Sequence, residues 1–245
     1  MEIKHYFEFD GISSKDFNIK IKKDNFLDLP ERHFEELEIE GRNGSLFIDY
    51  GTYKNRIIDI ECHIDLRNED DIFTIASQMT KWLKKDCKYK KLISSQNEDY
   101  YYEAVCINKI SFEEILKNYN SFILSFSAIP FRKANNRKYT VKPSGGVEVY
   151  NRGEICEPII DVYAGEGDKD IKIIINERIH AFKSVSGHFV INSELMDVYK
   201  ITDLENINYN TKMQSYDFPY LDEGKNTIVV ENVEKIEINP NFLYL

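Results

Sequence analysis

The sequence has 245 residues, enough for one or two domains that each bury a core. Hydrophobic residues make up 42% and aromatic residues 13% of the chain, which excludes a disordered protein, and no run of about 18 apolar residues is present to span a membrane. The 32 basic and 42 acidic residues give a formal charge of −10, which argues against a protein that grips nucleic-acid phosphates.

The amino-terminal part contains three stretches in which apolar and polar residues alternate. The first strand is predicted at residues 7–9, where Phe7 and Phe9 bracket Glu8, and Asp10-Gly11 follows as a turn. Residues 58–66 and 122–129 alternate along their whole length, and residues 100–110 form a further candidate strand. Period-two alternation predicts strands that bury one face.

One stretch has a helical period. Ile72, Ile75, Ala76, Met79, Trp82 and Leu83 recur at spacings of three and four residues. Asn68 is a candidate N-cap, acidic residues fill the first turn and lysines the last, and both features favour the helix dipole. The pattern predicts a helix near residues 69–85 whose apolar stripe covers one face of a sheet.

A polar, basic segment at residues 132–138 separates this part from the rest of the chain. It predicts a linker between an amino-terminal domain of residues 1–131 and a carboxy-terminal domain of residues 139–245. Short apolar runs divided by turn residues fill the second domain, from Val147–Tyr150 to Lys235–Ile238. Many short strands at near-regular spacing predict an antiparallel β-sandwich.

The chain carries no recognisable catalytic signature. The glycine that a phosphate-binding loop requires upstream of Gly224-Lys225 falls on Pro219, and no nucleophile elbow or HExxH sequence is present. The cysteines and histidines are too scattered for a zinc site, and the thiols are expected to be reduced and mostly buried. We therefore expect no enzyme activity, no catalytic residue, no metal and no cofactor.

Two features are candidates for contacts with other molecules. Tyr100, Tyr101 and Tyr102 place rings on both faces of a strand, where they favour a subunit interface or the core over a sugar platform. Asn43-Gly44 is typical of a hairpin turn.

The order of landmarks along nearly the whole chain resembles the distal tail (Dit) protein family of siphophages. The resemblance is carried by the opening segment Phe7–Phe17, the hairpin segment Ile39–Leu46 with Gly51-Thr52-Tyr53, and Phe126–Phe131 at the end of the first domain. It continues in Asn151-Arg152-Gly153, Pro158, Gly165 and the segments Phe218–Leu221 and Gly224–Ile228. Glu40 departs from the family, many members of which have proline there.

The resemblance implies a mainly β protein with one α-helix. It implies an amino-terminal β-sandwich with a flanking helix and a projecting hairpin, and a galectin-like or carbohydrate-module-like carboxy-terminal sandwich. It also implies a virion structural protein at the distal end of the tail, in the tail tip or baseplate, that forms a homohexameric ring through which DNA passes without specific binding. The implied partners are the tail tube protein, a tail-associated hub or lysin protein and a receptor-binding protein.

A cyclic ring requires two different contact surfaces on each subunit. We expect the hairpin within residues 34–66, with its turn at Gly41, Arg42, Asn43 and Gly44, to reach across a neighbouring subunit. The residues Met1–His5 have no pattern of a secretory signal, which predicts synthesis in the cytoplasm of the host bacterium. The alternative interpretation is a carbohydrate-binding accessory module of a phage tail or cell surface.

Overall fold

A computed structural model describes residues 5–65, 72–111, 115, 120–135, 138–143, 145–202 and 205–245. These residues divide into two compact units, Met1–Arg132 with Leu245, and Lys133–Tyr244. The fold is mainly β, as the sequence predicts, and the α-helix of the described residues, α1, spans Ile72–Leu83.

The strands of the first unit follow the chain as β1 (Phe7–Phe9), β2 (Ile12–Ser13), β3 (Ile19–Asp24), β4 (Arg32–Leu37), β5 (Leu46–Tyr53), β6 (Arg56–Ile64), β7 (Lys90–Ser94), β8 (Tyr100–Cys106) and β9 (Ser121–Ala134). Seven of them form one sheet in the order β2-β1-β7-β8-β9-β6-β3. The predicted amino-terminal sandwich is thus a single sheet. The two ends of this sheet approach each other. The Ile21 N–H of β3, at one end, donates a hydrogen bond at 3.5 Å to the carbonyl of His5, which lies just before β1 near the other end.

The helix covers the inner face of this sheet. Met79, Trp82 and Leu83 are buried, and the Trp82 ring stacks on Phe7 with the ring centroids 5.5 Å apart. The Trp82 indole N–H donates to the Phe9 carbonyl at 2.8 Å, so the buried ring leaves no polar atom unpaired. The predicted N-cap and acidic first turn lie outside the described residues. The helix ends at Leu83 and not at residue 85, although the Lys84 N–H still donates to the Thr80 carbonyl.

Alternating burial confirms the predicted strands. In β6 the side chains of Ile58, Ile60, Cys62 and Ile64 are buried and the residues between them face outward. Strand β8 is shorter than predicted and ends at Cys106. Strand β9 is longer and takes in residues 132–134 of the predicted linker, where the Ala134 N–H donates to the Phe242 carbonyl at 3.2 Å.

The second unit is an antiparallel sandwich, in agreement with the prediction. Its strands are β10 (Tyr139–Val141), β11 (Val147–Asn151), β12 (Ile159–Tyr163), β13 (Lys169–Ile175), β14 (Arg178–Val185), β15 (His188–Asn192), β16 (Asp197–Ile201), β17 (Asn206–Asn208), β18 (Gly224–Glu231), β19 (Lys235–Asn239) and β20 (Leu243–Tyr244). One sheet has the order β10-β19-β12-β15-β16-β17 and the other β11-β18-β13-β14, with a shared hydrophobic core between them.

Candidate subunit interface

Strands β4 and β5 form a two-stranded sheet of their own that projects from the first unit. Every residue of β4 and all of β5 except Tyr53 are exposed. An isolated two-stranded hairpin is at best marginally stable in water, so a hairpin without cover normally belongs against another surface. We call Arg32–Tyr53 the arm.

The arm has apolar side chains on both of its faces. Opposite residues of an antiparallel pair share a face, and the register pairs Leu37 with Leu46 and Glu35 with Ile48. Leu37, Leu46 and Ile48 thus form an aliphatic face, and 38–39% of each side chain is exposed. Its one acidic member, Glu35, accepts a hydrogen bond from the Tyr50 hydroxyl at 2.7 Å, which also raises the pKa of Tyr50.

The opposite face is aromatic and acidic. The rings of Phe34 and Phe47 meet edge to face with centroids 5.3 Å apart, and 45% and 58% of these residues remain exposed. Glu36 pairs with Phe47 across the strands and lies on the same face. Exposed apolar residues that are contiguous, unlike isolated ones, mark interaction surfaces.

The base of the arm is held by charge and aromatic contacts. The Arg32 guanidinium donates to both carboxylate oxygens of Asp49 at 2.9–3.2 Å and lies over the Tyr53 ring at 4.9 Å. The Arg32 hydrogen bonds, assisted by the Gly51 N–H, lower the pKa of Asp49. The Tyr53 ring in turn meets Phe131 of β9 edge to face at 5.7 Å, which links the arm to the main sheet.

A bulge bends the arm close to its base. Phe34 pairs with Asp49 but His33 pairs with Thr52, so Tyr50 and Gly51 are extra residues in β5. Gly51 has a φ of +73°, which glycine adopts without steric cost. The bulge twists the strand and is the physical reason for the Gly51-Thr52 sequence noted above.

The predicted turn residues Gly41, Arg42, Asn43 and Gly44 lie together at the tip of the arm, and all four are exposed. The Arg42 N–H donates to the Ile39 carbonyl at 3.1 Å, and Gly41 has a φ of +78°. Glu40 occupies position i+1 of this turn, where proline is common, and Gly41 supplies the positive φ that position i+2 requires. The arm is shorter than the predicted segment 34–66, because β6 returns to the main sheet at Arg56.

The three predicted tyrosines separate into two environments. Tyr102 belongs to the core, where its hydroxyl donates to the Phe26 carbonyl at 2.9 Å and accepts from Arg56 at 3.2 Å. Tyr100 and Tyr101 are half-buried, with Arg132 and Lys91 above their rings at 5.1 and 4.4 Å. The cation over each ring is a contact within the first unit, and a role of Tyr100 or Tyr101 at an interface or with a sugar stays a prediction.

The apolar faces of the arm are the feature that the sequence analysis missed. Leu46-Phe47-Ile48 is a run of three apolar residues with no alternation, so neighbouring side chains point to opposite faces. Leu27 and Leu29, just before the arm, are also exposed, at 76% and 83%. That run was the available signal for a strand with apolar side chains on both of its faces.

Among the residues that the structure describes, no group of three or more His, Cys, Asp or Glu side chains is arranged to hold a metal ion. In the same part of the chain, no helix has both the length and the apolar character to cross a membrane.

Comparisons with known proteins give a family and a fold. Residues 12–128 match the family of the phage tail protein RIFT-related domain. The SPP1 Dit protein, described as a paradigm of the hub adsorption apparatus in phages that infect Gram-positive bacteria, has a TM-score of 0.74 at 11% identity, with 98% of this chain and 99% of that chain covered. A chain of the phage P2 baseplate in its activated conformation with Ca has a TM-score of 0.59 at 10% identity, with 96% of each chain covered. Comparison with curated proteins gives no match.

Residues 12–128 of the first unit are therefore similar to a phage tail protein domain, and the chain has the fold of the SPP1 Dit protein. More particularly, the family match and the structural matches confirm the resemblance to siphophage distal tail proteins. They support a structural role in the phage tail and a location in the virion.

Proposed function

We propose that this chain is a distal tail protein whose copies assemble, through their arms, into a ring at the distal end of a siphophage tail. The observation that carries the proposal is the arm itself: a hairpin of a phage tail domain whose two faces both expose apolar side chains. Exposed apolar area of this kind favours association, since contact with another copy removes the apolar surface from water.

The arm supplies the asymmetric contact that a ring needs. Cyclic symmetry above two-fold uses heterologous interfaces, in which one patch meets a different patch on the next copy. A projecting arm is one such patch, and the surface that receives it is the other. Both strands of the arm also have an unpaired edge that can extend a neighbouring sheet by backbone hydrogen bonds.

The acidic composition agrees with a channel for DNA. Six copies at −10 each sum to about −60, and a channel with acidic walls repels phosphates and lets DNA slide without being bound. In this proposal the ring joins the tail tube protein to a tail-associated hub or lysin protein and to a receptor-binding protein. Its work is structural, without a catalytic step.

Removing the arm tests the proposal. Arg32 and Tyr53 are paired neighbours at the base, so residues 33–52 can be replaced by an Asn-Gly turn that joins them. We expect the variant to fold and to remain monomeric under conditions in which the intact chain forms rings. Multi-angle light scattering gives the mass, and negative-stain images show whether an annulus is present.

A matched control replaces only Glu177 by Gly in the two-residue turn between β13 and β14 of the second unit, where the positive φ suits glycine, and it keeps the whole arm. The control should still assemble. Rings of normal mass from the armless variant would contradict the role of the arm. An intact chain that stays monomeric at every concentration, alone and with its tail partners, would contradict the ring itself.

A second candidate function is carbohydrate binding by the sandwich of the second unit. Tyr216 is fully exposed and Tyr150 is 64% exposed, so both rings are available to stack on a sugar. Glycan arrays probed with the full chain and with a Tyr150→Ala, Tyr216→Ala variant test this candidate. Binding that the variant loses would favour it, and an array without signal would remove it.

A further inference from the structure

A short segment of the first unit is strongly basic, although the chain as a whole is acidic. Residues 81–91 contain six lysines and a single acid, Asp86. Three of the lysines are engaged: Lys84 donates to the Cys106 carbonyl, Lys90 pairs with Asp10 and Asp86, and Lys91 lies over Tyr101. We call this segment the lysine segment.

The other three lysines of the segment are exposed and form no salt bridge within the described ranges. They are Lys81 in the last turn of α1, and Lys85 and Lys88 in the connection to β7. A lysine in the last helical turn complements the helix dipole, which accounts for Lys81. It does not account for Lys85 and Lys88, which lie beyond the helix.

The tip of the arm has the opposite charge. Glu36, Glu38 and Glu40 are exposed, and none of them forms a salt bridge with any residue that the structure describes. Arg42 is the one basic residue between Leu37 and Leu46. Beside these acids are the exposed rings of Phe34 and Phe47, whose faces attract ammonium groups.

The two charged surfaces lie at opposite ends of the arm. The Asn55 amide, just after the base of the arm, donates to the Tyr89 hydroxyl at 2.7 Å, so the lysine segment lies beside the base. Strand β4 extends from the base toward the tip over six residues, or about 17 Å at 3.3 Å per step. The acids at the tip are too far from the lysines at the base to meet them within one copy. The two surfaces can meet when the tip of one copy reaches the base of the arm in the next copy, which is a head-to-tail contact.

We propose that the acidic tip of the arm of one copy docks on the lysine segment of the next copy. The inference rests on the proposed ring and names the receiving surface. The partner is a second copy of this chain, because copies that carry −10 each repel one another unless the contact surfaces are complementary. Glu36 and Glu38 meet Lys85 and Lys88, and the aromatic face of the arm lies against the lysine stems.

Charge reversal on each side, followed by combination, tests the contact. The variants are Glu36→Lys with Glu38→Lys, Lys85→Glu with Lys88→Glu, and the combination of all four. Sedimentation velocity gives the assembly constant at about 50 mM and about 500 mM salt, since exposed charge pairs are screened at high salt. Each one-sided variant should weaken assembly by about tenfold or more at low salt, and the combined variant should restore it to within about threefold.

A matched control reverses Lys142 and Lys183, two exposed lysines of the second unit that form no salt bridge with the described residues, and should assemble like the original chain. Thermal melts of all variants check that the substituted chains fold. Assembly of the Lys85→Glu, Lys88→Glu variant at the original strength would overturn the docking proposal and leave the ring intact. Loss that the combined variant does not restore would also overturn this pairing, whereas failure of the unaltered chain to assemble would instead refute the proposed function.

Discussion

Threonine substitutions on the aliphatic face of the arm should weaken assembly without unfolding the subunit. The variant is Leu37→Thr with Leu46→Thr and Ile48→Thr. Threonine keeps a high preference for strands, so the arm retains its conformation while its apolar area is replaced. All three side chains lie outside the core of the first unit, so the free energy of unfolding of the main sheet should stay the same.

The expected magnitude follows from the exposed fractions. Complete burial of a leucine or isoleucine side chain stabilises by about 1.5–3 kcal/mol. The structure leaves 38% of Leu37 and 39% each of Leu46 and Ile48 to be buried by a neighbour. Covering the face therefore contributes about 2–3 kcal/mol per arm, which corresponds to a roughly 30- to 150-fold change in the dissociation constant of one contact.

Sedimentation equilibrium over a wide concentration range measures this change. A matched control carries Ile179→Thr, Ile201→Thr and Ile207→Thr, three exposed isoleucines on strands of the second unit. The control should assemble as the original chain does. A threonine-face variant that assembles with unaltered affinity would refute the reasoning, because the exposed aliphatic area would then have no partner in the ring.

Three further results are expected. Tyr102→Phe should lower the free energy of unfolding by about 1–2 kcal/mol in urea titrations, since it leaves buried Arg56 with one acceptor fewer, whereas Tyr216→Phe, at a fully exposed ring, should not. Burial lowers the pKa of His180, so its contribution to stability is complete above pH about 6.5 and is lost as the pH falls toward the folded-state pKa. Thermal melts should therefore show a melting temperature that falls over this pH range, and a His180→Gln variant should lack this part of the fall. Maleimide labelling of the native chain, followed by mass spectrometry, should modify exposed Cys87 alone. The other three thiols are buried, which raises their pKa, to about 12 for Cys156. Labelling of any of these three would contradict their burial.

Local sequence patterns predicted most of the secondary structure. The alternation in β6 and the helical spacing of Met79, Trp82 and Leu83 each specify which side chains are buried, because a strand or helix exposes one face in a fixed period. The same holds for the short strands of the second unit. The ends of elements were less well determined: β9 continues into the predicted linker as far as Ala134, where it pairs with β20, a strand far away in the sequence.

The sequence predicted only part of the candidate interface. Glycines at 41 and 44 marked the turn at the tip, because a turn with positive φ selects glycine at those positions. Nothing in the sequence showed that Phe47 and Ile48 would both stay exposed. Burial depends on what covers a strand, and the cover comes from residues distant in the chain or from another molecule.

The sequence by itself therefore determined the β-rich class, the position of the helix and the turn of the arm, since these follow from periodicity and backbone preference over a few residues. Only the tertiary structure decided that seven strands of the first unit form one sheet, that Tyr102 belongs to its core, and that the two strands of the arm are exposed. These depend on strand pairing between distant segments, where the choice of partner is set by the packing of the whole domain and no local pattern specifies it.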